Sequence, residues 1–117
     1  MLLSEVLEAL DGELVGGGRG GLEVDVPSCF AADLMSEVLA FSSPGALLLT
    51  GLTNVQSVYT ADMADLRGIL FVNDKRPGPE VLRLAGQREI PLLTTKLTMF
   101  AACGILYARG LKPACRR

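Results

Sequence analysis

Histidine is absent from the 117 residues, which removes both the commonest general base near neutral pH and the commonest transition-metal ligand. Cysteine is scarce. Cys29, Cys103 and Cys115 form no Cys-x-x-Cys pair, and an odd number of thiols does not suit a disulfide framework. Without imidazole, zinc or an iron–sulfur cluster would need a further ligand from a carboxylate or from a second chain, so neither metal nor cofactor is expected. Long apolar runs are missing as well. Ala46–Leu49 and Ile69–Val72 have strand length, far short of the roughly 20 residues that span a bilayer. The N-terminus lacks the basic, apolar and small-residue succession of a signal segment, so a cytoplasmic location and no membrane partner are expected. Charge of either sign is not in excess: 11 Lys+Arg face 13 Asp+Glu for a net charge of -2. A phosphate backbone requires a concentrated basic patch, so nucleic acid is not an expected partner.

A phosphate-binding loop is also lacking. Gly16, Gly18 and Gly21 match G-x-G-x-x-G as a string, but a dinucleotide fingerprint needs a helix starting inside the motif. Gly21 instead leads into Leu22-Glu23-Val24-Asp25-Val26, the alternation of a half-buried strand. The glycines therefore predict a mobile hairpin loop.

What is present is hydrophobic: half of the chain, enough for one compact core. The expected domain is 1–111, with 112–117 as a short polar tail. Leu3, Val6, Leu7 and Leu10 recur at helical spacing before Gly12, and Glu13–Val15 reads as a strand. Helical spacing returns over Ala31–Phe41, with Leu34, Met35, Val38 and Leu39 on one face and Asp33, Ser36 and Glu37 opposite. Cys29 would then sit just before a helix, where the dipole lowers a thiol pKa; Cys103, inside an apolar helical pattern, is expected to pack as a small hydrophobe. Next come an apolar strand at Ala46–Thr50, a helix over Thr53–Met63 and a buried strand at Ile69–Val72. Pro79 fits the first position of the next helix; a strand over Pro91–Thr95 and a helix capped by Thr98 and running to Arg109 complete the series. Strands alternating with helices predict an α/β fold: a three-layer α/β/α arrangement with a mainly parallel sheet of about five strands.

In open parallel sheets ligands bind beyond the carboxyl ends of the strands. Three such ends are polar, which makes Thr50, Thr53, Asn54, Asn73, Thr95, Lys96 and Thr98 candidate ligand-binding residues for a small anion or nucleotide. Asp33, Leu34, Met35, Ser36 and Val38 are the candidate contacts to a second copy or partner, because 50% hydrophobic with 21% charged residues leaves apolar surface for a symmetric dimer to cover. No nucleophile is paired with a base, and no catalytic residue is expected.

The stretches Ser36–Val38, Gly45–Thr50, Gly68–Asn73, Pro79–Ala85 and Ile90–Thr95 together resemble the DRTGG domain family. Its naming motif is absent: Asn73-Asp74-Lys75 stands where the family has Thr-Gly-Gly. The resemblance covers roughly Leu22–Leu111 and implies a fold like the N-terminal domain of HPr kinase/phosphorylase, whose matching stretch is similar to Ile90–Thr98. It also implies a non-enzymatic regulatory or assembly module that pairs with itself and binds an effector or partner protein. That partner would be a metabolic or redox enzyme, such as a hydrogenase.

Overall fold

The computed structural model describes residues 1–18 and 20–114. Among the described residues five α-helices and six strands succeed one another as α1 Leu3–Leu10, β1 Glu13–Gly16, β2 Ser28–Ala31, α2 Met35–Phe41, β3 Leu47–Thr50, α3 Val55–Met63, β4 Gly68–Phe71, α4 Pro79–Arg88, β5 Leu92–Thr94, α5 Met99–Ala108 and β6 Lys112–Pro113. They build one sheet in the order β1-β5-β4-β3-β2-β6, parallel throughout except for β1 against β5. The expected α/β architecture is present, with six strands where about five are predicted.

The layers arise from alternation along the buried strands. Leu48, Ile69, Phe71 and Leu92 face one side, where they meet Met35 and Val38 of α2, Val58 and Ala61 of α3, and Val81 and Ala85 of α4. Leu47, Leu49, Leu70 and Leu93 face the other, against Leu3, Val6 and Leu10 of α1 and Ala102 and Leu106 of α5. Because successive side chains of a strand point to opposite faces, a continuous apolar run is what a sheet covered on both sides requires.

The glycine run does not connect a hairpin. β1 pairs with β5, far along the chain, and Gly21–Glu23 form a 3-10 turn instead of the predicted strand. Leu22–Val26 alternates, but its only sheet-like pairing is an isolated bridge from Asp25 to Leu2; Leu3 N donates to Val24 O and Val26 N to Met1 O. Alternation alone does not make a strand when no neighbouring strand is free to pair. Gly17 has φ +100°, and a Cβ there would stand 1.7 Å from Ile90 O, so this part of the loop lies against β5 and needs glycine.

Two further expectations are corrected. The strand begins at Ser28, and helix α2 starts only at Met35, because Ala31 pairs with Leu49 and Ala32 N donates to Leu49 O. Asp33 therefore lies in a loop, not on a helical face with Glu37, and Cys29 lies inside β2, not before a helix. The expected tail also contributes structure: Lys112 and Pro113 pair with Ser28 and Cys29, and Ala114 N donates to Cys29 O at 2.8 Å. Residues 115–117 of that tail lie outside the described residues, as does Arg19 of the glycine loop.

Candidate functional site

The carboxyl ends of the parallel strands are fastened by their own polar groups. At the end of β3, fully buried Thr50 donates its hydroxyl to Asp33 Oδ1 at 2.9 Å, and Gly51 N donates to the same oxygen at 2.8 Å. Thr50 Oγ1 also accepts from Leu52 N at 3.2 Å. Asn54 caps α3, its Oδ1 accepting from Ser57 N at 3.3 Å. The short polar side chain satisfies a helix-terminal N–H that has no intrahelical partner.

The ends of β4 and β5 are zipped together. Asn73 N donates to Leu97 O at 2.8 Å and Asp74 N to Thr95 O at 2.9 Å, with Asn73 and Asp74 both in the left-handed region at φ 61° and 57°. Thr94 Oγ1 donates to Lys75 O, and the buried Thr95 hydroxyl to Leu10 O. Thr98 caps α5 by accepting from Ala101 N.

The predicted anion-binding residues sit at the carboxyl ends of the neighbouring strands β3, β4 and β5 and at the starts of two helices. Helix α3, entered through Thr53 and Asn54, packs on one face of the sheet; α5, entered through Thr98, packs on the other. Asn73 and Lys96 are exposed, while Thr50, Asn54, Thr95 and Thr98 already hold internal hydrogen bonds. Near Lys96 lies a cavity of about 120 Å³ bordered by Asp11, Glu13, Asp74, Arg76 and Thr94. Ligand pockets usually occupy about 300–1,000 Å³, so this one suits a few waters. Its three carboxylates outnumber Arg76 and Lys96, and Arg76 is itself bound to Glu13 and lies 3.6 Å from Asp74.

A larger feature escapes the sequence. Cys29, Phe30 and Ala31 of β2, Cys103 and Tyr107 of α5, and Leu111, Pro113 and Ala114 border an apolar groove of about 520 Å³ at the sheet edge. It exists because β6 carries the chain back to β2, which a tail reading cannot anticipate. Burial, with a smaller contribution from neighbouring Cys103, pushes the Cys29 thiol up to about 11, and burial raises Cys103 too. Both thiols are held protonated at neutral pH, the opposite of what a helix N-terminus would do to Cys29.

Of the residues expected to contact a second copy, Met35 (7% exposed) and Val38 (0%) turn into the molecule's own core. A helix this short shows one side to the sheet, and these residues are that side. Leu34 is 58% exposed, Ser36 is exposed, and Asp33 is committed to Thr50 and Gly51. Phe41, 54% exposed, lies seven residues from Leu34 and shares its flank of the helix, while exposed Leu39 lies on the opposite flank of the buried stripe.

Five chains of solved structures match this protein. One is the regulatory region, comprising CBS and DRTGG domains, of Clostridium perfringens pyrophosphatase, in complex with its activator diadenosine tetraphosphate. The superposition has a TM-score of 0.74 at 18% sequence identity and covers 90% of this chain but 45% of that one. No curated protein matches. The model of the DRTGG domain family matches residues 5–108. With nearly every helix and strand inside that match, the chain belongs to the DRTGG domain family.

Proposed function

We propose that the chain is a non-catalytic regulatory module that pairs with a second copy and, as that pair, binds an effector or a partner enzyme in the cytoplasm. The observation that carries this reading is one flank of α2: Leu34 and Phe41, seven residues apart, stand exposed while Met35 and Val38 are buried. Apolar side chains on one flank of a helix are surface that two-fold pairing would remove from water. The internal use of hydroxyls and amides at the strand ends supports the same reading, because those groups rigidify the fold without being aimed at a substrate. Membership of the family, and the regulatory region of a pyrophosphatase as structural neighbour, agree with it. The partner enzyme is of a metabolic or redox class, with a hydrogenase as the specific case. Sedimentation equilibrium at micromolar concentration tests the pairing: a mass twice 12.4 kDa is expected. A mass at the monomer value overturns it.

A further inference from the structure

We propose that Cys29 and Cys103 form a two-coordinate binding site for Cu(I) within the apolar groove at the β2 edge. The two thiols come from different elements, a strand and the helix laid over it, and border the same groove. Both pack against the same core cluster, so the sheet and α5 position them independently of any flexible loop. They are near enough that charge on Cys103 disfavours charge on Cys29.

The composition of the wall decides which ion suits the pair. Phe30, Leu111 and Pro113 offer no side-chain ligand, Tyr107 only a neutral hydroxyl, and among the described residues no carboxylate borders the groove. Among those residues, too, no group of three or more His, Cys, Asp or Glu is poised to hold a metal. Zinc in a structural site asks for four ligands, and calcium or magnesium for oxygen. A soft ion satisfied by thiolates is selected instead, and Cu(I) accepts two of them in a line.

Binding exchanges protons for metal without a change of oxidation state. Two S–H bonds break, two S–Cu bonds form, and one Cu(I) with two neutral thiols gives a singly negative bis-thiolate and two protons. Because these thiols are protonated in the free protein, affinity should rise roughly 100-fold per pH unit below their pKa values.

The test titrates Cu(I), supplied anaerobically as its acetonitrile complex, into the Cys115→Ala protein against a chromogenic chelator. One ion per chain is expected, with only two sulfur neighbours by X-ray absorption. Cys29→Ser or Cys103→Ser in that background should weaken binding on the order of 100-fold or more, at least the upper loss seen when a ligand's supporting partner is removed. Unchanged affinity in either variant overturns the proposal, as does one ion shared between two chains, or no binding once Cys115 is replaced. Should a serine variant fail to fold, alkylation of the wild-type chain decides. Cu(I) must protect Cys29 and Cys103 together, and protection of neither or of only one refutes the site.

Discussion

Asp33 Oδ1 takes the hydroxyl proton of Thr50 at 2.9 Å while also accepting from Gly51 N, so one exposed carboxylate closes the end of a buried strand. Thr50 is fully buried, and a hydroxyl that loses its acceptor there is left to a site water enters poorly. Hydrogen bonds to a charged group contribute about 1.5–3 kcal/mol. Asp33→Ala should therefore lower unfolding free energy in urea by about 1–3 kcal/mol, and Asp33→Asn, which keeps an oxygen acceptor, by less. A loss below the error of the measurement would show that water replaces the carboxylate.

Two glycines should respond in opposite directions to the same substitution. At Gly17 a methyl group would meet Ile90 O at 1.7 Å with φ at +100°, so Gly17→Ala forces the backbone off β5 and should cost about 3 kcal/mol or more. Gly104 is exposed inside α5, with nothing within 4 Å of its added Cβ. Alanine there removes unfolded-state entropy at no steric cost and should stabilise by about 0.5–1 kcal/mol. Thermal melts of the two variants read both signs.

Much of the fold is legible in the sequence because the central strands are buried on both faces. Leu47–Leu49 and Ile69–Phe71 are apolar without interruption and too short for a helix, and Pro79, Thr98 and Asn54 mark helix starts with local chemistry. The stretch Leu22–Ala31 misleads for a physical reason. The alternation of Leu22–Val26 is as good as a strand's, while the real strand, Ser28–Ala31, is short and poor in β-branched residues, held by its position between β3 and β6. The site is harder still. Hydroxyls at the strand ends look alike in sequence whether they face a ligand or, like Thr95 to Leu10 O, a carbonyl 85 residues away. The apolar groove needs the pairing of Cys29 with Pro113, and no local pattern encodes that.

Stability should fall with pH where Cys29 titrates. Its folded pKa is raised from 9.0 to about 11, chiefly by burial. Between those values the unfolded chain has lost the proton and the folded chain retains it, so the native state binds more protons and unfolding becomes easier as pH rises. Below pH 9 the full contribution is present. Cys29→Ala should flatten the difference in urea midpoint between pH 8 and pH 10.5 relative to the parent protein. An identical slope in both proteins would assign it to other groups.

Lys96 is exposed beside a small cavity with more carboxylates than cations. An anion entering there meets Asp11, Glu13 and Asp74 as well as Lys96, and Arg76 already holds Glu13. Phosphate, AMP and acetyl phosphate titrated into the wild type and Lys96→Ala should therefore show no selective difference, with melting temperatures within about 2 °C. A selective loss of affinity in the variant, at unchanged melting temperature, would instead establish an anion site at the end of β5.

The surface proposed for pairing makes its own distinction between neighbours on one helix. Phe41 is 54% exposed and Met35 7%, so a charge introduced at each should act on a different equilibrium. Phe41→Asp removes apolar area from the outer side only. Its expected effect is a shift from dimer to monomer in sedimentation, with the melting temperature of the dissociated chain at high dilution preserved. Leu34→Asp should act in the same direction from the other end of the helix. Met35→Asp places an unpaired carboxylate in the core against the sheet, where desolvation costs several kcal/mol, and should unfold the chain outright. If Phe41→Asp and Leu34→Asp leave the dimer intact, α2 is not its interface, and pairing must use another part of the surface, such as exposed Tyr107 on α5.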